Sequence, residues 1–167
     1  SLRVLDGAVA VFCAKGGVEP QSENVWRQAN TYKVPRIAFV NKMDINGANF
    51  DNAVKMMHDR LHTNAVPVVL PIGSESDFRG IIDLITMKAL YYSADDNGIT
   101  VKAEEIPADM KDAAADARRK LVEEAANFDD AIFEKCIMDE SGSVTEDELK
   151  KAIRKGTIEM AMTPVLC

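Results

Sequence analysis

The apolar run Ile37–Val40 is followed directly by three polar side chains, Asn41, Lys42 and Asp44. A carboxylate can accept hydrogen bonds from two adjacent donors, and guanine presents such a pair, N1–H and its exocyclic amino group. Adenine turns an acceptor toward the same place, so Asp44 would favour guanine and repel adenine. The Asn41 amide can reach the major-groove edge of the base, and the Lys42 stem can lie on its face. These residues predict a guanine-binding site, with Met43 turned into the core.

A polar turn is the alternative interpretation of the same four residues. In that case Asp44 would cap the helix that follows, and no ligand would be needed to explain the carboxylate. At average residue usage, Asn-Lys-x-Asp occurs by chance in about 2 % of chains of this length. Both interpretations are open until the preceding segment is shown to be a buried strand or not.

The first third of the chain alternates between strand and helix patterns. The continuous apolar run Ala8–Cys13 predicts a strand that is covered on both faces. A helix is predicted from about Gln21 to Tyr32, with Val25, Ala29 and Tyr32 on its buried face.

A second strand and a second helix follow. The apolar run from Arg36 to Val40 predicts the strand, and the spacing of four apolar side chains predicts the helix: Phe50, Val54, Met57 and Leu61. Strand, helix, strand and helix at these lengths predict a parallel sheet. Ligands bind outside the carboxyl ends of such strands, which is where residues 41–44 would lie.

The pattern changes after residue 63. Pro67 and Pro71 restrict 66–73 to an edge strand or a separate sheet. Closely spaced strand patterns predict an antiparallel sheet, at 80–85, 88–92 and 99–103, with a turn at 95–98 before the last one. A helical stretch is predicted over 109–138, and Thr145 with Glu148 predicts a capping box that opens a last helix.

These patterns predict an α/β fold with an inserted α+β subdomain, a small antiparallel sheet plus helices. Residues 1–63 and 158–167 would form the parallel sheet with its flanking helices, and 64–157 the insert. Two consecutive domains are the alternative, but they would leave the β-rich segment 163–167 without a sheet to join.

Composition excludes several classes of protein. Hydrophobic residues make up 47 % and charged residues 28 % of the 167 positions, as in an ordinary globular protein. The net charge of −7 argues against a nonspecific nucleic-acid binder. Three widely spaced cysteines predict reduced thiols in a cytosolic protein, and no apolar run reaches the roughly 20 residues that a membrane helix needs. Because both ends lie in or next to apolar strand patterns, we expect an excised piece of a larger protein.

Three other motifs resemble metal or phosphate sites but lack residues that such sites need. His58 and His62 have the spacing of a zinc-protease helix but lack the glutamate after the first histidine and a third ligand. The acidic stretch from Asp139 has Val144 and Lys150 where a calcium loop needs glycine and glutamate. No Gly-Lys-Ser/Thr follows Gly16-Gly17, so a simple turn is predicted there.

The first 44 residues resemble the translational GTPase elongation factor G: SLRVLDGAVAVFCAKGGVEPQSENVWRQANTYKVPRIAFVNKMD. The likeness continues through GANF, LPIG, GIIDL and IPADM to GTIEMAMTPVLC. It implies a partial P-loop GTPase fold in which Asn41, Lys42 and Asp44 bind the guanine of GTP or GDP. It also implies that 64–157 is the insert called G′, and that the parent hydrolyses GTP during ribosomal translocation in the cytoplasm.

By the same resemblance, other parts of the GTPase would lie outside this sequence. The phosphate-binding loop, both switch regions and the ligands of Mg²⁺ would precede Ser1, and a further guanine contact would follow Cys167. Because phosphoryl transfer depends on that loop and metal, we expect the isolated fragment to be catalytically inactive and to bind the base weakly.

An interaction module is the second functional hypothesis. The acidic, Ala-rich helical region offers no chemistry, and the resemblance implies that the G′ insert contacts the ribosomal stalk protein. Peptide-chain release factor 3 and the ribosomal protection proteins are alternatives within the translational GTPases. We also expect that apolar strand surface at Ala8–Cys13 permits self-association.

Overall fold

The computed structural model describes residues 1–96 and 98–167. The strands are β1 (Ala8–Cys13), β2 (Arg36–Asn41), β3 (Ala65–Pro67), β4 (Val69–Ile72), β5 (Gly80–Asp83), β6 (Lys88–Tyr92), β7 (Val101–Glu104) and β8 (Thr163–Leu166), and the helices are α1 (Pro20–Thr31), α2 (Phe50–Leu61), α3 (Lys111–Ala125), α4 (Asp130–Ile137) and α5 (Glu146–Ile158). The predicted turn at 95–98 includes Asn97, which lies outside the described residues.

The parallel sheet has the strand order β1-β2-β8-β3. The segment 163–166 pairs in parallel with both β2 and β3, so the chain returns to its first sheet near its end. Helices α1 and α2 cover one face of this sheet, where Trp26 and Met57 join the buried side chains of β2. We call residues 1–67 and 163–167 the parallel region.

The buried face of α1 differs from the prediction. Trp26 and Ala29 are buried, whereas Val25 and Tyr32 are exposed. The Trp26 ring contacts the Phe12 ring, with 6.1 Å between centroids, and lies 4.1 Å below the Arg36 guanidinium. Burying this large aromatic side chain gains more than burying valine, so Trp26 sets the rotation of the helix.

The prediction that β1 is covered on both faces was wrong. Val9 and Val11 point away from α1 and are 58 % and 59 % exposed, while Phe12 on the opposite face is buried. β1 is also an edge strand of the sheet. A continuous apolar run indicates which strand needs cover on two faces, but it cannot show whether the cover is present in the same chain.

The second sheet is antiparallel, in the order β4-β5-β6-β7. Its core includes buried side chains from β5 and from three helices, among them Ile82, Leu121, Ile132 and Leu149. We call residues 68–162 the antiparallel region. Within the described part of the chain, no helix has both the length and the apolar character needed to cross a membrane.

The local signals in the antiparallel region are confirmed in part. The capping box is present: the Thr145 hydroxyl accepts from the Glu148 N–H, and the Glu148 carboxylate accepts from the Thr145 N–H. The stretch predicted as helical over 109–138 is interrupted, because Asp129 caps a new helix by accepting from two backbone N–H groups. Asp129 is therefore the N-cap of α4, and the predicted helical stretch is broken between α3 and α4.

The proline-containing segment 66–73 forms edges in both sheets. β3 is the edge of the parallel sheet and β4 the edge of the antiparallel sheet. Val68, between them, donates to the Val165 carbonyl (3.0 Å) and accepts from the Leu84 N–H (3.1 Å). The predicted α/β class, a parallel sheet with flanking helices and a small antiparallel sheet, is confirmed.

Candidate functional site

The predicted site residues lie at the carboxyl end of an interior strand. β2 is hydrogen-bonded to β1 on one side and β8 on the other, and Asn41 is its last residue. The Asn41 carbonyl accepts from the Ala14 N–H at 2.8 Å, which ties this end of β2 to the turn that follows β1. This is the edge of a parallel sheet at which ligands bind.

A tight turn separates the side chains of this segment. Lys42 has a φ of +63°, and the Asn41 side-chain oxygen accepts from the Lys42 N–H at 2.8 Å. Met43 is buried among the side chains of the parallel region, as predicted, while Asn41, Lys42 and Asp44 are exposed. The left-handed residue therefore turns the chain so that one apolar side chain enters the core and the polar ones stay outside.

The three predicted residues share one cleft of about 470 Å³. Its other walls come from both regions and include Phe39, Phe78, Tyr92 and Cys167. Aromatic and apolar walls with a few polar groups are typical of a site for a planar base.

The Asp44 carboxylate makes no hydrogen bond within the described residues and does not cap α2. That helix begins after Asn49, whose side-chain oxygen accepts from the Asn52 N–H at 2.9 Å. The structure thereby excludes the alternative in which Asp44 is explained as a helix cap. Its carboxylate oxygens are free to accept hydrogen bonds from a ligand.

The sequence analysis missed Glu75. Its backbone N–H donates to the Met43 carbonyl at 2.8 Å, and its side-chain Oε1 accepts from the Gly47 N–H at 2.7 Å. The two contacts lie on either side of Asp44. No sequence pattern linked Glu75 to this loop, since Gly47 lies 28 residues before it.

Two cysteines near the cleft have opposite environments. At the end of β1, hydrogen bonds from the backbone N–H groups of Gly16 and Lys15 lower the pKa of the Cys13 thiol. Cys167 lies at the junction of the two regions, where burial raises the pKa of its thiol to about 12. Thiolate chemistry is therefore favoured at Cys13 and suppressed at Cys167.

The described residues contain no group of three or more His, Cys, Asp or Glu side chains that could hold a metal ion. His58 and His62 are exposed on and just after α2.

Comparison with known proteins agrees with this geometry. Residues 1–133 match the family described as the elongation factor Tu GTP-binding domain. A crystal structure of a protein from Thermus thermophilus superposes with a TM-score of 0.83 at 24 % identity. The superposition covers 99 % of this chain and 24 % of that one, so the chain spans about a quarter of the length of the protein it matches.

The family match covers most of the chain and includes β2, the turn after it and every residue named above as a wall of the cleft except Cys167. The chain therefore belongs to the elongation factor Tu GTP-binding domain family, the nucleotide-binding domain of translational GTPases.

Proposed function

We propose that this chain is the guanine-recognising part of an elongation factor of the elongation factor G type, and that it binds GTP and GDP through the base. The observation that supports this most directly is the exposed Asp44 carboxylate. It has no hydrogen-bond partner in the described residues and lies in a cleft beyond an interior parallel strand. Asp44 accepts from guanine N1–H and the exocyclic amino group, Asn41 offers its amide to the other edge of the base, and the Lys42 stem covers one face.

The division into domains is part of the proposal. Residues 1–63 and 158–167 form a partial GTP-binding domain, and 64–157 form the G′ insert. The return of β8 to a place between β2 and β3 supports an insertion, because a consecutive second domain would not need to rejoin the first sheet. β3, at the start of the insert, also forms the edge of the parallel sheet, so the two units share it.

GTP hydrolysis, in this proposal, belongs to a longer cytoplasmic protein that moves tRNA and mRNA on the ribosome. The sequence contains no Gly-Lys-Ser/Thr, and the described residues contain no group of three or more His, Cys, Asp or Glu side chains that could hold a metal ion. The phosphates and their metal would be held by other parts of that protein. We expect no GTP turnover by these 167 residues alone; turnover in a radioactive GTP assay with the purified chain would contradict this.

Titration of the ¹⁵N-labelled chain with GDP, ADP and xanthosine diphosphate tests base recognition. GDP should shift the amide signals of 41–47, ADP should not, and Asp44→Asn should exchange the preference for GDP for one for the xanthine nucleotide. Asp59→Asn, an exposed acid on α2, is the matched control and should behave like the unmodified chain. Equal shifts with GDP and ADP, or no shifts at millimolar GDP, would rule out the proposed role.

A second function is supported by α4. Phe133, Ile137 and Met138 are 53 %, 69 % and 69 % exposed, and the first two are one turn apart on the helix surface. Such a patch on an acidic, solvated helical unit is suited to a protein partner. We propose the C-terminal domain of the ribosomal stalk protein as that partner.

The stalk contact can be tested with the same labelled chain. Addition of the stalk domain should shift signals along α4, and Phe133→Asp with Ile137→Asp should abolish the shifts. Lys151→Asp on α5, also exposed, is the control for a change of charge alone. A spectrum that the stalk domain leaves unperturbed would eliminate this function and leave α4 as a solvated helix.

A further inference from the structure

We propose that Glu75 is a positioning residue for guanine recognition, and that it keeps the Asp44 carboxylate available to the base. The inference rests on the proposed guanine binding by Asp44 and extends it to a residue of the antiparallel region. Glu75 itself is not expected to contact the nucleotide. It acts on the loop that carries Asp44.

Two hydrogen bonds hold this loop from outside. The Glu75 N–H reaches the Met43 carbonyl at 2.8 Å, and Glu75 Oε1 accepts from the Gly47 N–H at 2.7 Å. Within the loop, the Ile45 N–H to Lys42 carbonyl contact is long, at 3.4 Å. The loop also contains a bond from the Ala48 N–H to the Ile45 carbonyl at 3.1 Å, so the two anchors from Glu75 add to it and fix the backbone on both sides of Asp44.

The carboxylate of Glu75 also removes a competing partner of Asp44. An aspartate side chain readily accepts from a backbone N–H two or three residues further on, in the manner of an Asx turn or a helix cap. For Asp44, the N–H of Gly47 is such a donor, but Glu75 occupies it. Without the Glu75 side chain, Asp44 would gain a local partner, and the guanine hydrogens would have to compete for its oxygens.

The backbone conformation of the segment that carries Glu75 is constrained by its neighbours. Glu75 has a φ of +55°, which is unfavourable for a residue with a side chain. Gly73 has a φ of +77°, and a Cβ there would lie 2.1 Å from the Asp77 carbonyl oxygen. The Glu75 carbonyl accepts from the Phe78 N–H at 3.1 Å, and Phe78 packs against the cores of both regions. A strained residue that its surroundings hold so closely is consistent with a role in the adjoining site.

The test compares four forms of the complete chain. Glu75→Gly removes the carboxylate, keeps the backbone N–H and relieves the positive φ, so this variant should fold. Glu75→Gln keeps an oxygen that can accept from Gly47. Asp77→Ala, at an exposed acid two residues away, controls for a change of charge in the same turn.

Affinity for GDP and for inosine diphosphate, which lacks the exocyclic amino group, would be measured by NMR titration, with hydrogen exchange of the Gly47 amide alongside. For Glu75→Gly we expect about tenfold weaker GDP binding, a reduced preference for GDP over inosine diphosphate, and a Gly47 amide that stays protected from exchange because Asp44 replaces Glu75 as its acceptor. Glu75→Gln and Asp77→Ala should retain affinity and preference close to those of the unmodified chain.

The outcomes separate this inference from the proposed function. If the unmodified chain binds GDP and Glu75→Gly binds it equally well with the same base preference, Glu75 is not a positioning residue, and the role of Asp44 is unaffected. A loss of affinity with unchanged base preference would also overturn the inference, since it would indicate general loosening of the cleft. If the unmodified chain does not bind GDP, the proposed function fails, and the role of Glu75 fails with it.

Discussion

The sheets of the two regions differ in how completely their apolar side chains are buried. In the antiparallel region, Ile82, Leu84 and Leu121 are fully buried between the sheet and its helices. In the parallel region, α1 and α2 cover one face of the sheet, while Val9 and Val11 on the other face are more than half exposed. Parallel sheets require cover on both faces, whereas an antiparallel sheet can face water on one side. The contrast is therefore one of strand burial: the antiparallel region buries its inner strands and exposes apolar side chains such as Phe133 and Ile137 on a helix, whereas the parallel region leaves apolar side chains of β1 exposed on the sheet itself.

Cysteine reactivity should show the largest effect, as a difference between Cys13 at the open end of the parallel region and Cys167 where that region meets the antiparallel region. Cys13 lies at the end of β1 with a lowered pKa, while burial at the junction of the regions raises the pKa of Cys167 to about 12. At neutral pH, the thiolate fraction of Cys13 should exceed that of Cys167 by more than about a thousandfold. Alkylation with iodoacetamide, followed by peptide mass spectrometry at a series of pH values, measures the two rates. Comparable rates would mean that the junction is open to solvent.

Arg118 should contribute to the free energy of unfolding of the antiparallel region. Its guanidinium on α3 donates to the carbonyls of Leu84 (2.6 Å), Ile85 (2.7 Å) and Val144 (3.1 Å). Arg118→Ala would leave carbonyls of the strand turn and of the loop before α5 without a partner, at a cost of about 2 kcal/mol in the free energy of unfolding.

Arg119 provides the matched control for this substitution. It is the next residue on α3, but it is exposed, and its ion pairs within the described part of the chain are with Asp116 and Glu123 on the same helix. Arg119→Ala should cost less than about 0.5 kcal/mol. Urea denaturation of both variants measures the difference, and equal losses would show that the carbonyl contacts do not contribute to stability.

Glu148, at the start of α5, should make the stability of the antiparallel region depend on pH in the acidic range. Hydrogen bonds from Lys135 and from the Thr145 N–H lower the pKa of Glu148 from 4.5 to about 2. Because the folded-state pKa is depressed, the stabilisation is complete above the unfolded pKa and is lost as the pH falls from about 5 toward 2.

Glu148→Gln tests this pH dependence. The unfolding temperature of the variant should lie below that of the unmodified chain at pH 7, and the two should converge near pH 2. Glu140→Gln, an exposed acid in the preceding loop, is the control and should follow the unmodified chain throughout. A constant difference between Glu148→Gln and the unmodified chain at every pH would indicate a loss of packing instead of a loss of charge.

Local patterns predicted most of the elements and the location of residues 41–44 at the end of an interior strand. The β2 run, the capping box at Thr145 and the position of Asn41 and Asp44 all depend on residues close together in sequence. The missed break at Asp129 was a local error, whereas two others came from long-range contacts. Trp26 rather than Val25 faces the core because of Phe12 and Arg36, which lie in separate strands. Glu75 could not be found from local patterns because its contact with Gly47 spans 28 residues of sequence.

The exposed valines of β1 should have the smallest effect on stability. Val9→Thr with Val11→Thr replaces two methyl groups that already face solvent, so the free energy of unfolding should change by less than about 0.5 kcal/mol. Val40→Thr is the matched control on β2, because Val40 is fully buried and a hydroxyl there should cost about 1–3 kcal/mol. If the open face also drives self-association, as the sequence analysis predicts, sedimentation velocity at increasing concentration should show less dimer for the double variant. A large loss of stability in that variant would mean that the face is already covered, and that the contrast between the two regions is not a real one.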